Sequence, residues 1–136
     1  MRVIPGLPVL GVALSLMTGA ASAQEARPMP PVLREVVSGM PKSDRQEVRV
    51  LTATLKPGDK TPFHTHRFPV TVYILEGTFT LEMEGHAPKT ITAGQAYVEP
   101  PNVKMTGYNR SATEPMKVLI FYVSDPDTPF LDVAHH

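Results

Sequence analysis

The chain has 136 residues and a mass of 14.9 kDa, with 42% hydrophobic and 19% charged residues, which suits one packed domain and excludes both a multidomain enzyme and a disordered tail. Lys plus Arg and Asp plus Glu each number 13, so there is no electrostatic footprint for phosphate backbones or anionic membranes, and no nucleic-acid partner is expected. There is no Cys, which removes disulfides, thiolate nucleophiles and zinc-finger sites and leaves His, carboxylate, Met or Tyr to hold any metal.

The N-terminus reads as a secretory signal over residues 1–23: Arg2, an apolar stretch from Val9 to Met17, then Ala21-Ser22-Ala23 with small residues at the positions a signal peptidase inspects. Cleavage is expected after Ala23. Pro5, Gly6, Pro8 and Gly11 interrupt the stretch, which falls short of the roughly 20 residues of a spanning helix, so no stable membrane insertion is expected once the signal is removed. The predicted location is periplasmic or secreted, where a chain without Cys also avoids stray disulfides. Residues 24–46 are predicted to be a flexible leader with a first strand. Three prolines within Gln24–Pro31 oppose regular structure, and the β-branched content around Leu33, Val36 and Val37 favours extended chain over a short helix.

From Glu47 onward, short apolar or alternating runs recur between turn signals: Glu47–Leu55, Val70–Leu75, Thr78–Met83, Lys89–Thr92, Gln95–Glu99, Lys104–Asn109 and Met116–Val123. Lys56-Pro57-Gly58-Asp59, Glu76-Gly77, Glu84-Gly85-His86-Ala87-Pro88, Gly94 and Pro100-Pro101-Asn102 separate them. Such spacing predicts an all-β chain folded as a small antiparallel β-barrel over residues 47–126, with 127–136 as a C-terminal tail. No internal repeat is long enough to imply a solenoid.

The one concentrated chemical feature is Pro62-Phe63-His64-Thr65-His66. Two His two apart on extended chain point to one face, with Cα atoms roughly 6.5 Å apart, and both neutral rings can reach one ion at about 2.1 Å. Taken alone, two solvated surface His explain the pattern as well. Its surroundings sharpen it. Gly58, five residues, His64-x-His66, and Gly77 at the distance of a following strand and turn, resemble the first motif of the cupin family; Gly94, Pro100 and Asn109 stand at the spacing of the second. The resemblance spans about Glu47 to Val123 and implies a cupin or jelly-roll-like barrel with a metal site inside.

The departures from the family pattern shape the expected site. Val70 stands where the first motif has Glu, Met105 where the second has His, and Asn102 where the second has its inner Gly. Asn tolerates the left-handed backbone such a turn needs. What the resemblance leaves as metal ligands is His64, His66 and the thioether of Met105, although Met is also the usual adaptable filler of a core. One divalent or soft transition-metal ion is expected, with copper, iron, manganese, nickel and zinc all open and the thioether favouring copper. Tyr73, Tyr97, Glu99 and Tyr108 offer oxygen near the motifs, but strand alternation places none of them clearly on the His64 and His66 face. Gly107 either leaves room for a substrate or permits close strand packing. His86, His135 and His136 are expected at the surface, and Glu76, Glu82 and Glu84 solvated.

The resemblance implies an exported single-domain cupin that binds metal and acts on or binds a small molecule by dioxygenase, isomerase or lyase chemistry. The alternatives are a non-catalytic copper- or ligand-binding protein, and a degenerate structural barrel. A homodimer is expected by the same resemblance, with the apolar run Met116–Val123 suited to the interface.

Overall fold

The structure is a computed structural model that describes every residue except Met1, Val9, Leu14, Met17, Thr18, Ala23, Gln24 and Glu25. The cleavage point expected after Ala23 therefore lies outside the described residues. Among the described residues no helix is long and apolar enough to cross a membrane, and none before Glu47 belongs to a strand. Nine strands follow: β1 (Glu47–Leu55), β2 (His64–Thr65), β3 (Val70–Glu76), β4 (Thr78–Met83), β5 (Lys89–Thr92), β6 (Ala96–Glu99), β7 (Met105–Tyr108), β8 (Met116–Ser124) and β9 (Asp132–Val133). They form two antiparallel sheets, ordered β1-β8-β3-β6 and β5-β4-β7-β2-β9, so the chain is all-β as its alternating runs predict.

Period-two patterning decides which face of each strand turns inward. In β8, Met116, Val118, Ile120, Tyr122 and Ser124 are buried while the residues between them are not. Val70, Val72 and Ile74 of β3 and Phe79, Leu81 and Met83 of β4 bury the same way, and these side chains share one core. Full burial stabilises by roughly 1.5–3 kcal/mol per large apolar side chain, so this shared core is what holds the two sheets together.

Left-handed positions shape several of the connections, two of which bear on the site. Gly77, at φ +73°, turns β3 into β4, and a side chain there would collide with the Pro115 carbonyl. Asn102 has φ +58°, as expected of the Asn standing in for the motif's glycine, and its N–H donates to the His66 carbonyl at 2.7 Å. The turn between β6 and β7 is thereby tied to the His-x-His segment.

The C-terminal segment belongs to the second sheet. β9 pairs with β2, the Ala134 N–H donates to the Phe63 carbonyl at 2.9 Å, and Arg67 holds Asp132 through two hydrogen bonds of 2.9 and 3.1 Å. A two-residue strand has too little pattern to be read in sequence; its partner is supplied by the edge of β2. His135 and His136 are exposed as expected, with the His136 ring stacked on Phe63 at 4.4 Å. At the other end, Leu33, Val37 and Met40 share a groove with Phe121 and Val123 on the outer face of the first sheet, where the leader lies as unpaired chain.

Candidate metal centre

The two imidazoles enter the barrel from the segment around β2, and both are buried, His64 at 5% and His66 at 1% exposure. Each has one ring nitrogen committed to backbone. His64 Nδ1–H donates to the Pro62 carbonyl at 2.7 Å, and His66 Nδ1–H donates to the Phe130 carbonyl at 2.6 Å. A carbonyl only accepts, so Nδ1 must carry the hydrogen in both rings and each neutral ring presents a bare lone pair at Nε2. Those two Nε2 atoms meet at 3.1 Å. Burial pushes the His64 imidazole below its ordinary pKa; the Pro62 hydrogen bond opposes this, while neighbouring His66 adds to it.

A third acceptor joins them. The Glu99 carboxylate, 5% exposed, brings Oε2 to 3.2 Å from His66 Nε2. Glu99 ends β6 directly opposite Val70 of β3, so the carboxylate missing from the first motif is replaced on the neighbouring strand at the same rung of the sheet. Strand alternation left Glu99 without a clear face because the His residues lie on the other sheet. The available signal was its place just before Pro100-Pro101, at the end of a strand pairing with Val70.

Met105 is fully buried and is the register partner of His64 in β7, which puts both side chains on the same face of the second sheet. It lies in the core cluster with Met83 and does not line the cavity onto which His64, His66 and Glu99 open. Tyr73 points to the outer face of β3, since the inward positions of that strand are Val70, Val72 and Ile74. Tyr97 turns inward beside the core and donates to the Met83 sulfur at 3.9 Å, while the Arg110 guanidinium lies 4.7 Å from the Tyr108 ring. Gly107 permits close packing: the Phe79 ring occupies the space a Cβ would need. His86 and Glu76 are exposed, and Glu82 pairs with Arg110.

With both rings neutral, the two Nε2 atoms and the Glu99 carboxylate are all acceptors in a buried space, which a cation or a shared proton would satisfy. Nitrogen or oxygen ligands held at about 2.1 Å around one ion stand roughly 3.0–3.4 Å from one another, which is the spacing of His64, His66 and Glu99 about His66 Nε2. In donor chemistry, two imidazoles and a carboxylate suit a transition-metal ion. Among the described residues no group of three or more His, Cys, Asp or Glu side chains is already placed to hold a metal ion. Both close contacts run through His66 Nε2.

The three groups form the polar end of a cavity of about 210 Å³ whose walls are otherwise almost wholly apolar, including Val72, Leu81, Val118, Ile120 and Phe130. The Phe130 ring also packs at 4.8 Å against His66. A larger groove of about 530 Å³ lies outside the second sheet among Phe63, Glu82, Glu84, Lys104 and Tyr108 and reaches none of these groups.

Two antiparallel sheets around one core, with a buried His pair between them, make a small jelly-roll-type β-barrel. The family model described as "Cupin domain" matches residues 51–122, and the chain belongs to the cupin family. Its fold is similar to that of the DMSP lyase DddQ from Ruegeria pomeroyi DSS-3, at 23% identity and a TM-score of 0.56, over 64% of this chain and 43% of that one. An RmlC-like cupin from Shewanella frigidimarina NCIMB 400 is similar at 21% identity and a TM-score of 0.51, over 60% of this chain and 69% of that one. A cupin-like protein from Thermotoga maritima MSB8 is similar at 20% identity and a TM-score of 0.53, over 64% of each chain. The chain thus spans less than half of the lyase's length. No curated protein matches it.

Proposed function

We propose that this cupin holds one transition-metal ion at His64, His66 and Glu99 and binds or converts a small molecule in the adjoining cavity. The observation that carries the reading is the pair of Nδ1–H donations to backbone carbonyls, which leaves two buried Nε2 lone pairs facing each other at 3.1 Å beside a carboxylate. An ion there supplies a Lewis-acid position. The Pro62 and Phe130 carbonyls set the tautomer and orientation of the two rings. Two imidazoles and a carboxylate suit iron, manganese, nickel or zinc.

The test is elemental analysis of protein purified without a His tag. About one ion per chain is expected. It should be lost in a double His64→Ala, His66→Ala variant and retained when His135 and His136 are deleted; equal loss from the tail deletion would overturn the barrel site. A softer set of His64, His66 and Met105 is the second reading, favoured by the register pairing of Met105 with His64. Under it the metal is copper and Met105→Leu releases it, whereas the Glu99 set keeps its ion in that variant. Turnover separates an enzyme from a binding protein, and a metal-free chain in every preparation would leave a structural barrel.

Export rests on the N-terminal pattern of Arg2, Val9–Met17 and Ala21-Ser22-Ala23. It is tested by fractionation and N-terminal sequencing, with Gln24 expected first. A homodimer is supported by the outer face of the first sheet, where Val48, Val50 and Phe121 are 69%, 57% and 40% exposed. Light scattering decides it.

A further inference from the structure

The cavity beside the His pair has a composition that points to a ligand class. Its rungs descend from one polar end. Val70 stands between Glu99 and Tyr122 across the first sheet, and the next rung is Val72 with Ile120, followed by Val118 with Ala53. Below the His64, His66 and Glu99 end no charged side chain lines the space, and the Thr61 hydroxyl in its wall is already committed to the Pro62 carbonyl and the Gly107 N–H. A sugar, or a zwitterion with a second charge, would therefore leave polar groups unpaired there, at roughly 1–3 kcal/mol each. The size is also restrictive. A dry apolar cavity of about 150 Å³ accommodates benzene, so about 210 Å³ takes roughly eight heavy atoms.

The entrance is identifiable. Ala53 lines the cavity and is exposed, although its register partner Val118 is buried. It lies on β1, an edge strand of its sheet, so the space opens to solvent past Ala53. Phe130 and Leu131, from the segment leading into β9, close another wall.

We propose that this cavity binds a short hydrocarbon monocarboxylate, its chain lying along Val72, Val118 and Ile120 and its carboxylate at the His64, His66 and Glu99 end. The head-group part rests on the metal reading: two neutral imidazoles and one carboxylate leave one positive charge on a divalent ion, which a monoanion neutralises. The hydrocarbon part rests on the cavity walls alone.

The experiment is calorimetric titration of the full chain, metal-loaded and metal-free, with the straight-chain series from butanoate to decanoate, and with glucose and glycine betaine as polar controls. In the loaded protein affinity should rise about fourfold per added CH2, the equivalent of about 0.8 kcal/mol, until roughly eight heavy atoms are reached, and then stop rising. Binding should carry a negative heat-capacity change. Ala53→Phe, at an exposed position, should weaken hexanoate binding at least tenfold while metal stoichiometry stays unchanged. Affinity flat from butanoate to hexanoate, or glucose or betaine binding as tightly as hexanoate, overturns the proposal. So does an Ala53→Phe variant that binds hexanoate like the parent. If the protein takes up no metal yet keeps the chain-length dependence, the metal reading fails and the hydrocarbon cavity stands.

Discussion

Glu99→Gln should change stability and metal affinity in opposite directions. With both rings neutral and no metal bound, the His66 Nε2 lone pair faces His64 Nε2 at 3.1 Å and Glu99 Oε2 at 3.2 Å, and neither ring supplies a donor. A glutamine amide in place of that carboxylate offers an N–H to His66 Nε2 and turns one contact between acceptors into a hydrogen bond. A buried polar atom without a partner costs about 1–3 kcal/mol, so relieving one should stabilise the metal-free chain by about that amount. For a domain of this size, about 4 °C per kcal/mol translates this into a rise in Tm of roughly 4–12 °C. Metal binding should weaken by roughly 10–100-fold or more, because the site loses its only anionic ligand. Thermal unfolding in chelator at about pH 8, where few protons are available to bridge the site, measures the first effect. Titration with the native metal measures the second. A variant that melts lower without metal and binds metal as tightly as the parent would refute the tautomer argument.

Acid should destabilise the metal-free protein in a defined window. Burial lowers the His64 pKa below 6.5, so the unfolded chain takes up this proton first; the stability His64 provides is complete above about pH 6.5 and declines as pH falls toward its folded value. Metal affinity should fall in the same direction as protons compete for the ring nitrogens, and urea unfolding curves that do not change below about pH 6.5 would contradict the buried neutral imidazole. Asp132→Asn removes the exposed partner of Arg67 and should leave Tm nearly unchanged while speeding hydrogen exchange at the Ala134 amide several-fold. Equal exchange rates in the two proteins would show that this ion pair does not fasten β9. Gly107→Ala places a methyl on the Phe79 ring and should cost about 1–3 kcal/mol in urea unfolding; an unchanged midpoint would mean that the ring has room to move.

Much of the fold was legible because a half-buried strand writes its burial into every second residue. β3, β4 and β8 carry that pattern over six to nine residues, and their observed bounds lie within one residue of the runs read from sequence. β9 has two residues and no pattern of its own, and it exists because the edge of β2 offers hydrogen-bonding groups. The strand expected within 24–46 is absent among the described residues: Leu33, Val37 and Met40 find apolar neighbours on the outer face of the first sheet without pairing.

The candidate site divides the same way. Local spacing determined that His64 and His66 share a face, since that follows from the pleat of one short segment, and Asn102 at a left-handed turn follows from its own side-chain chemistry. Only the tertiary structure decided what completes the pair. Glu99 arrives through the antiparallel register of β6 with Val70 and the packing of one sheet over the other, and the Phe130 carbonyl arrives from residues 64 positions further along the chain. Alternation states which face of a strand is buried; which distant residue shares that buried space depends on register and sheet packing, which are long-range properties of the folded chain.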